Sequence, residues 1–200
     1  MITDPIFEQV YNRSLLQKLA KRFGPFAEQH VELTGSTGVM REMLHKMKDR
    51  DRRGEVVMVA PNEQGRIWLH TKSFYPERVY RLMTGGLDAG EKPHQALRRE
   101  LKEETGFKTK IDRCLAVITY TMIGDDLTLP FVSYLFLTNP TVGLPHPTDP
   151  KEAITEFQAV TVAELPLVAE QLRSLAGDFA DWGVFRAVAH DLAWQQLQIT

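Results

Sequence analysis

Three glutamates, Glu100, Glu103 and Glu104, stand at i, i+3 and i+4 and follow directly on Arg99. In a helix this spacing stacks their carboxylates on one side within about one turn, where like charges repel. An Arg99–Glu103 pair four residues apart would relieve only part of that repulsion, at about 0.2–0.5 kcal/mol. A hard divalent cation relieves more of it, because carboxylate oxygens are what magnesium takes from a protein, leaving its other positions to water and phosphate. The frame around the acids suits such a site. Gly85-Gly86 lets backbone approach a ligand or metal closely in what reads as a flexible loop, Pro93 sits where the first position of a helix falls, and Gly106 sits where its C-terminal cap belongs.

The full stretch from Gly85 to Phe107 resembles the box of the Nudix hydrolases, G-x5-E-x7-R-E-U-x-E-E-x-G-U with U a bulky apolar residue. Gly85, Glu91, Arg99, Glu100, Leu101, Glu103, Glu104, Gly106 and Phe107 fill every specified position in register. The resemblance implies an α/β fold, an α/β/α sandwich around a mixed sheet, here with N-terminal and C-terminal helical extensions. It implies Glu100, Glu103 and Glu104 as metal ligands, with Glu104 foremost and the Gly85 carbonyl contributing, and Glu91 with Arg99 as a supporting pair. The implied ion is Mg²⁺, with Mn²⁺ as the alternative. The implied reaction is attack of metal-activated water on phosphorus in a nucleoside diphosphate linked to another group, such as a nucleotide sugar or a dinucleotide. A nucleoside triphosphate pyrophosphohydrolase is the enzymatic alternative, and a non-catalytic sensor of nucleotide metabolites is the alternative from another class. The general base is a box glutamate (Glu103 or Glu104) or an acid from a later loop. Asp149, Glu152 and Glu156 follow the Pro-rich segment and can fold back over the helix, with Glu152 the first choice. Arg78, Arg81 and Tyr120 are the candidate substrate contacts. Met83-Thr84 stands where relatives often carry a proline before the paired glycines, and no substrate-specific signature is visible outside the box.

Several elements must position this segment. Leu15, Leu16, Leu19 and Phe23 recur at helical spacing until Gly24-Pro25, and Val39, Met40, Met43, Leu44 and Met47 form an apolar stripe over 37–48 that reads as a packing face. The mixed-charge run 46–54 reads as a solvated boundary, with phosphate binding by its arginines as the alternative reading. Strands are expected over 55–60 and 66–71, joined as a hairpin through Pro61-Asn62-Glu63-Gln64-Gly65, and then over 108–122, 127–137 and 157–161. Two helices, over 162–175 and 182–197, close the chain. The expected organisation is a helical arm (1–53), a catalytic core (54–162) and C-terminal helices packed on it (163–200).

With 200 residues, 43% of them hydrophobic and 25% charged, the chain has the balance of a globular protein with one sizeable core. A net charge of −2 supplies no field for polymeric nucleic acid or an anionic membrane. No apolar run approaches a membrane span, and the single cysteine, Cys114, has no disulfide partner and lies in an apolar strand. A small nucleotide as substrate, a cytoplasmic location and a homodimer built on the terminal helices are the expectations that follow.

Overall fold

The computed structural model describes residues 4–198. In chain order its elements are α1 (Pro5–Val10), α2 (Arg13–Phe23), β1 (Ala27–Thr34), α3 (Gly38–Asp49), β2 (Gly54–Val59), β3 (Ile67–Lys72), β4 (Arg81–Gly86), α4 (Pro93–Thr105), β5 (Ile111–Ile123), β6 (Thr128–Thr138), β7 (Ile154–Val160), α5 (Leu165–Arg173) and α6 (Ala180–Gln198). The strands form one seven-stranded mixed sheet in the order β1-β5-β6-β2-β4-β3-β7, with β1 parallel to β5, β6 parallel to β2, and the other neighbours antiparallel.

Side chains alternate across the sheet and feed two cores. On one face Val56, Met58, Met83, Val117 and Phe136 meet α2 and α4 through Leu19, Phe23, Leu97 and Leu101. On the other, Val57, Leu69, Leu82, Ile118 and Leu135 meet α3, α5 and α6 through Met40, Leu44, Leu172 and Phe185. This is the α/β/α sandwich. Among the described residues no helix is long and apolar enough to cross a membrane.

Three expectations need correction. The hairpin joining 55–60 to 66–71 survives only at its turn, where the Asn62 N–H donates to the Arg66 carbonyl and Pro61 bridges to Ile67. Farther along, β4 lies between β2 and β3, pairing Gly85 with Val56 and Leu82 with Leu69, so the two strands splay apart. Secondly, residues 1–53 are not wholly helical, because Ala27–Thr34 adds an edge strand along β5. Its sequence, AEQHVELT, exposes one long edge to water and alternates too weakly to announce itself. Thirdly, the helix expected over 162–175 divides into a 3₁₀ turn and then α5, and the last helix begins earlier than expected, at Ala180.

Contact between α5 and α6 depends on Gly183, where a Cβ would lie 2.0 Å from the Leu172 carbonyl oxygen. Overpacking against backbone of this kind costs about 1–3 kcal/mol. Gly183→Ala is therefore expected to lower the unfolding free energy by that amount and the urea midpoint with it, and an unchanged midpoint would show that the two helices have slack.

Candidate active site

Helix α4 buries Ala96, Leu97, Glu100, Leu101, Glu104 and Thr105, a stripe at i, i+4 and i+8 in which two acids lie among apolar residues. The three carboxylates are thus divided rather than gathered. Glu100 and Glu104 face the sheet, while Glu103 is 37% exposed and turns toward Arg99. The Gln95 side chain accepts from the Lys92 N–H at the start of the helix, and Gly106 ends it with φ 71° and an N–H bond to the Lys102 carbonyl.

The paired glycines lie at the end of β4 rather than in a flexible loop. What they supply is closeness: a Cβ on Gly85 would lie 1.9 Å from the Glu100 carboxyl carbon, and one on Gly86 would lie 2.3 Å from the Arg52 guanidinium carbon. The connection that follows, from Leu87 to Lys92, is held by Arg99. Its guanidinium donates to Glu91 (3.1 and 2.8 Å), Glu100 (2.7 Å), Glu103 (3.3 Å) and the Gly86 carbonyl (2.9 Å). Burial would raise the Glu91 pKa, but the Arg99 bonds and the Asp88 N–H outweigh it and hold the carboxyl below its usual range. At Glu100 the balance reverses, and burial raises the pKa against the pull of Arg99.

Glu104 is wholly buried, and burial pushes its pKa from 4.5 up to about 8 despite the opposing charges of Lys72 and Arg81. Lys72 Nζ lies 3.1 Å from Glu104 Oε1 and 2.8 Å from Glu152 Oε2, so one ammonium spans two carboxylates. Beyond this Lys72 ion pair, no hydrogen bond from another described residue reaches either Glu104 oxygen. The Nδ1 of buried His70 is 3.8 Å from Glu104 Oε2, and neither imidazole nitrogen has a hydrogen-bond partner among the described residues. Burial, then Arg81 and Lys72, hold the His70 pKa well below its usual value, which leaves the ring neutral.

Glu152 reaches this place because the Pro-rich segment docks on the C-terminus of α4. The backbone N–H groups of His146 and Thr148 donate to the Thr105 and Glu103 carbonyls (3.0 and 2.8 Å), satisfying helix-end acceptors. Of the three late acids, Glu152 lines the cleft beside Glu100 and Gly85. Asp149 accepts from the Lys151 N–H, and Glu156 accepts from the Tyr80 hydroxyl at 2.5 Å.

The cleft encloses about 610 Å³. Its lining includes Gly85, Gly86, Glu100, Glu152 and Lys72, together with Val39, Met43 and Met47 of α3 and the aromatic residues Phe74, Phe179 and Trp182. A larger groove beside Tyr80 and Glu156 contains no residue of the Gly85–Phe107 stretch.

The candidate substrate contacts fare unequally. Arg81 lines the cleft, 4% exposed, donating to the Tyr75 hydroxyl, the Leu82 carbonyl and Thr84. Arg78 does not line it; its side chain is 88% exposed at a positive-φ turn, on the larger groove. Tyr120 does not either, because strand alternation puts it in the core between Phe131 and Phe185. Sequence reasoning missed His70 and Lys72, whose signal is polarity at alternate positions of a strand that otherwise reads as buried. It favoured a solvated boundary for Arg52 and a packing face for the α3 stripe, whereas Arg52 and part of that stripe line the cleft.

A model of the NUDIX domain matches residues 51–183. The chain belongs to the Nudix family. It is accordingly a hydrolase of phosphoanhydride bonds, in a family whose members use divalent metal ions. Among solved structures it is similar to the MutT protein of Methanosarcina mazei Go1 (15% identity, 74% of this chain and 94% of that one, TM-score 0.49). It is also similar to an Ap4A hydrolase of C. elegans (16%, 74% and 99%, 0.49) and to the dihydroneopterin triphosphate pyrophosphohydrolase of E. coli (16%, 66% and 95%, 0.48). No curated protein matches the chain at a significant level.

The residues of this Nudix site fit a hard divalent ion in their chemistry. Glu100, Glu103, Glu104 and Glu152 are oxygen donors, and the buried Glu104 carboxylate already pairs with a cation, the Lys72 ammonium. As the side chains stand, no three His, Cys, Asp or Glu groups among the described residues converge on one point.

Raising a carboxyl pKa on folding makes the folded state the better proton acceptor, so this group's contribution to stability falls as pH climbs from 4.5 to about 8. Glu104→Gln removes that dependence, and Lys72 retains Glu152 as partner. In chelator, the melting temperature of Glu104→Gln should gain on the parent protein as pH rises from about 5 to about 9. A constant gap would show that Glu104 ionises normally.

Proposed function

We propose that this Nudix enzyme cleaves the pyrophosphate linkage of a nucleoside diphosphate joined to a second group, a nucleotide sugar or dinucleotide, with Mg²⁺ as its ion and Mn²⁺ as a substitute. The observation that carries the reading is the mixed lining of the cleft. Carboxylates and Lys72 share it with Val39, Met43, Phe74 and Trp182, which offer apolar and aromatic surface for what the phosphates carry. A volume of about 610 Å³ exceeds the needs of a pyrophosphate group alone and falls within the ordinary range of ligand pockets.

Magnesium held by Glu100, Glu103, Glu104 and the Gly85 carbonyl would lower the pKa of an attacking water and offset pyrophosphate charge. Glu152 is the side chain we assign to accept that water's proton, since of the late acids it alone lines the cleft. The water oxygen bonds to phosphorus, the bridging P–O bond breaks, and the products are a nucleoside monophosphate and the phosphate ester of the second group, without a covalent enzyme intermediate. Arg99 and Glu91 keep the backbone of Gly86 and the carboxylate of Glu100 in register with one another. Arg81 places a buried positive charge near the reacting phosphates. A nucleoside triphosphate is the second reading, favoured by the positive charge that Arg50 and Arg52 add to the cleft.

Product release from nucleotide sugars, dinucleotides and nucleoside triphosphates with Mg²⁺ tests this directly. One class should be turned over, and Glu104→Gln and Glu152→Gln should each reduce kcat by about 10²-fold or more. Silence across the panel with a nucleotide still bound would replace the hydrolase by a sensor; normal turnover by Glu152→Gln would return the base to the box.

A further inference from the structure

We propose that Arg52, with Arg50 beside it, is a phosphate-binding residue of the cleft, supplied by the turn between α3 and β2. The backbone of that turn is fixed. Arg53 is buried and donates to Asp4 (2.8 Å) and to the Met47 carbonyl (3.0 Å); the Arg52 N–H donates to the same carbonyl (2.9 Å). Asp51 adopts φ 52°, a left-handed conformation that non-glycine residues take up only at a cost, so the chain turns sharply just before the two arginines. Arg53 goes into the protein and Arg52 goes over Gly86.

Gly86, which follows the first glycine of the box, makes room for that arginine. The Arg52 guanidinium fills the space a Gly86 Cβ would take, with its Cζ, Nε and Nη2 at 2.3, 2.5 and 2.6 Å from that position. On the other side the Gly86 carbonyl accepts from Arg99. Arg52 is therefore laid along the backbone that carries Gly85 and faces the cleft in which Glu100 and Glu152 stand.

Charge pairing separates Arg52 from its neighbours. Arg53 has Asp4, Arg99 has Glu91, Lys72 has Glu104 and Glu152, and Arg186 has Glu55 at 2.9 Å. Among the described residues neither Arg50 nor Arg52 has a carboxylate within ion-pair distance or a hydrogen-bond acceptor for its guanidinium. An arginine pinned against a glycine backbone, unneutralised and open to a cleft, presents a planar fork of donors suited to a phosphate. Arg50 precedes the residues that match the family model.

This inference rests on reading the cleft as the phosphoanhydride site, and its test keeps the two apart. Methylenediphosphonate, which cannot be hydrolysed, is titrated calorimetrically with Mg²⁺ into the full chain, Arg52→Ala, Arg52→Lys and Lys48→Ala. Lys48 lies on α3 outside the cleft and controls for net charge. Losing one charge-assisted contact should weaken binding by about tenfold or more in Arg52→Ala, with partial retention in Arg52→Lys and none of the effect in Lys48→Ala. On the substrate found by turnover, Arg52→Ala should raise KM with kcat nearly preserved. Equal affinity in Arg52→Ala and the parent protein, an equal loss in Lys48→Ala, or no binding by the parent protein would overturn the assignment. Silence of the nucleotide panel together with an Arg52-dependent affinity would overturn the substrate reading and leave this one standing.

Discussion

Removing Glu104 entirely from water sets conditions on everything around it. A buried carboxylate with no hydrogen bond to either oxygen beyond one ion pair is costly when ionised, so it must be protonated, paired or bound to a cation. The fold supplies neighbours that make each choice consequential. Lys72 offers charge, His70 offers a neutral ring, and Arg81 adds a second positive charge from the adjacent strand. These three come from β3 and β4, whose register puts His70 opposite Arg81. That pairing requires β4 to lie beside β3, which is why the simple hairpin inferred from the turn at Pro61–Gly65 cannot persist beyond its first bridges.

Arg99 performs the complementary task on the other side of α4. A guanidinium offers five donors in a rigid plane, and here they are divided among three carboxylates and one carbonyl. The outcome is mechanical as much as electrostatic. Loop, strand end and helix are tied at one point, and Gly85 and Gly86 permit the contact because nothing projects from them. Close packing of backbone against Glu100 and Arg52 leaves little freedom, so the glycines serve rigidity. A flexible loop is what glycine suggests when neighbours are unknown; a seven-stranded sheet makes the same residues the tightest part of the site.

What could be read from residue order follows from how local each cause is. Pro93, Gly106 and the acids between them signal a helix through interactions within a few residues, and that helix stands where its signals place it. The bulk strands were legible from β-branched and aromatic runs for the same reason. Tyr120 was misread because a polar-tipped aromatic reads alike in a cleft and in a core, and only the alternation of β5 under α6 decides between them. β1 lacks a strong alternating pattern, as its edge position demands little burial. Lys72 and His70 gain meaning only from α4, about thirty residues on, and no spacing rule in β3 points there. The split of Glu103 from Glu100 and Glu104 was hidden for a related reason: helical spacing says which residues share a side, but the sheet chooses where burial ends.

The residues that line this cleft come from two parts of the chain. Everything that would handle metal and water lies between Lys72 and Glu152, inside the residues that the family model matches. Of the cleft's apolar wall, Val39, Met43 and Met47 precede that span, as does Arg50. The N-terminal segment is thus integral to the cleft, held there by Asp181, which accepts from the backbone N–H groups of Ser36 and Thr37 at 2.8 Å each, and by the Asp4–Arg53 pair. If substrate choice resides in that wall, two Nudix chains can share every box residue and still differ in substrate, because the box carries reaction type and the added helix carries shape. Residue order within the box then has no bearing on the leaving group, which accounts for a sequence that names its chemistry while leaving its substrate unread.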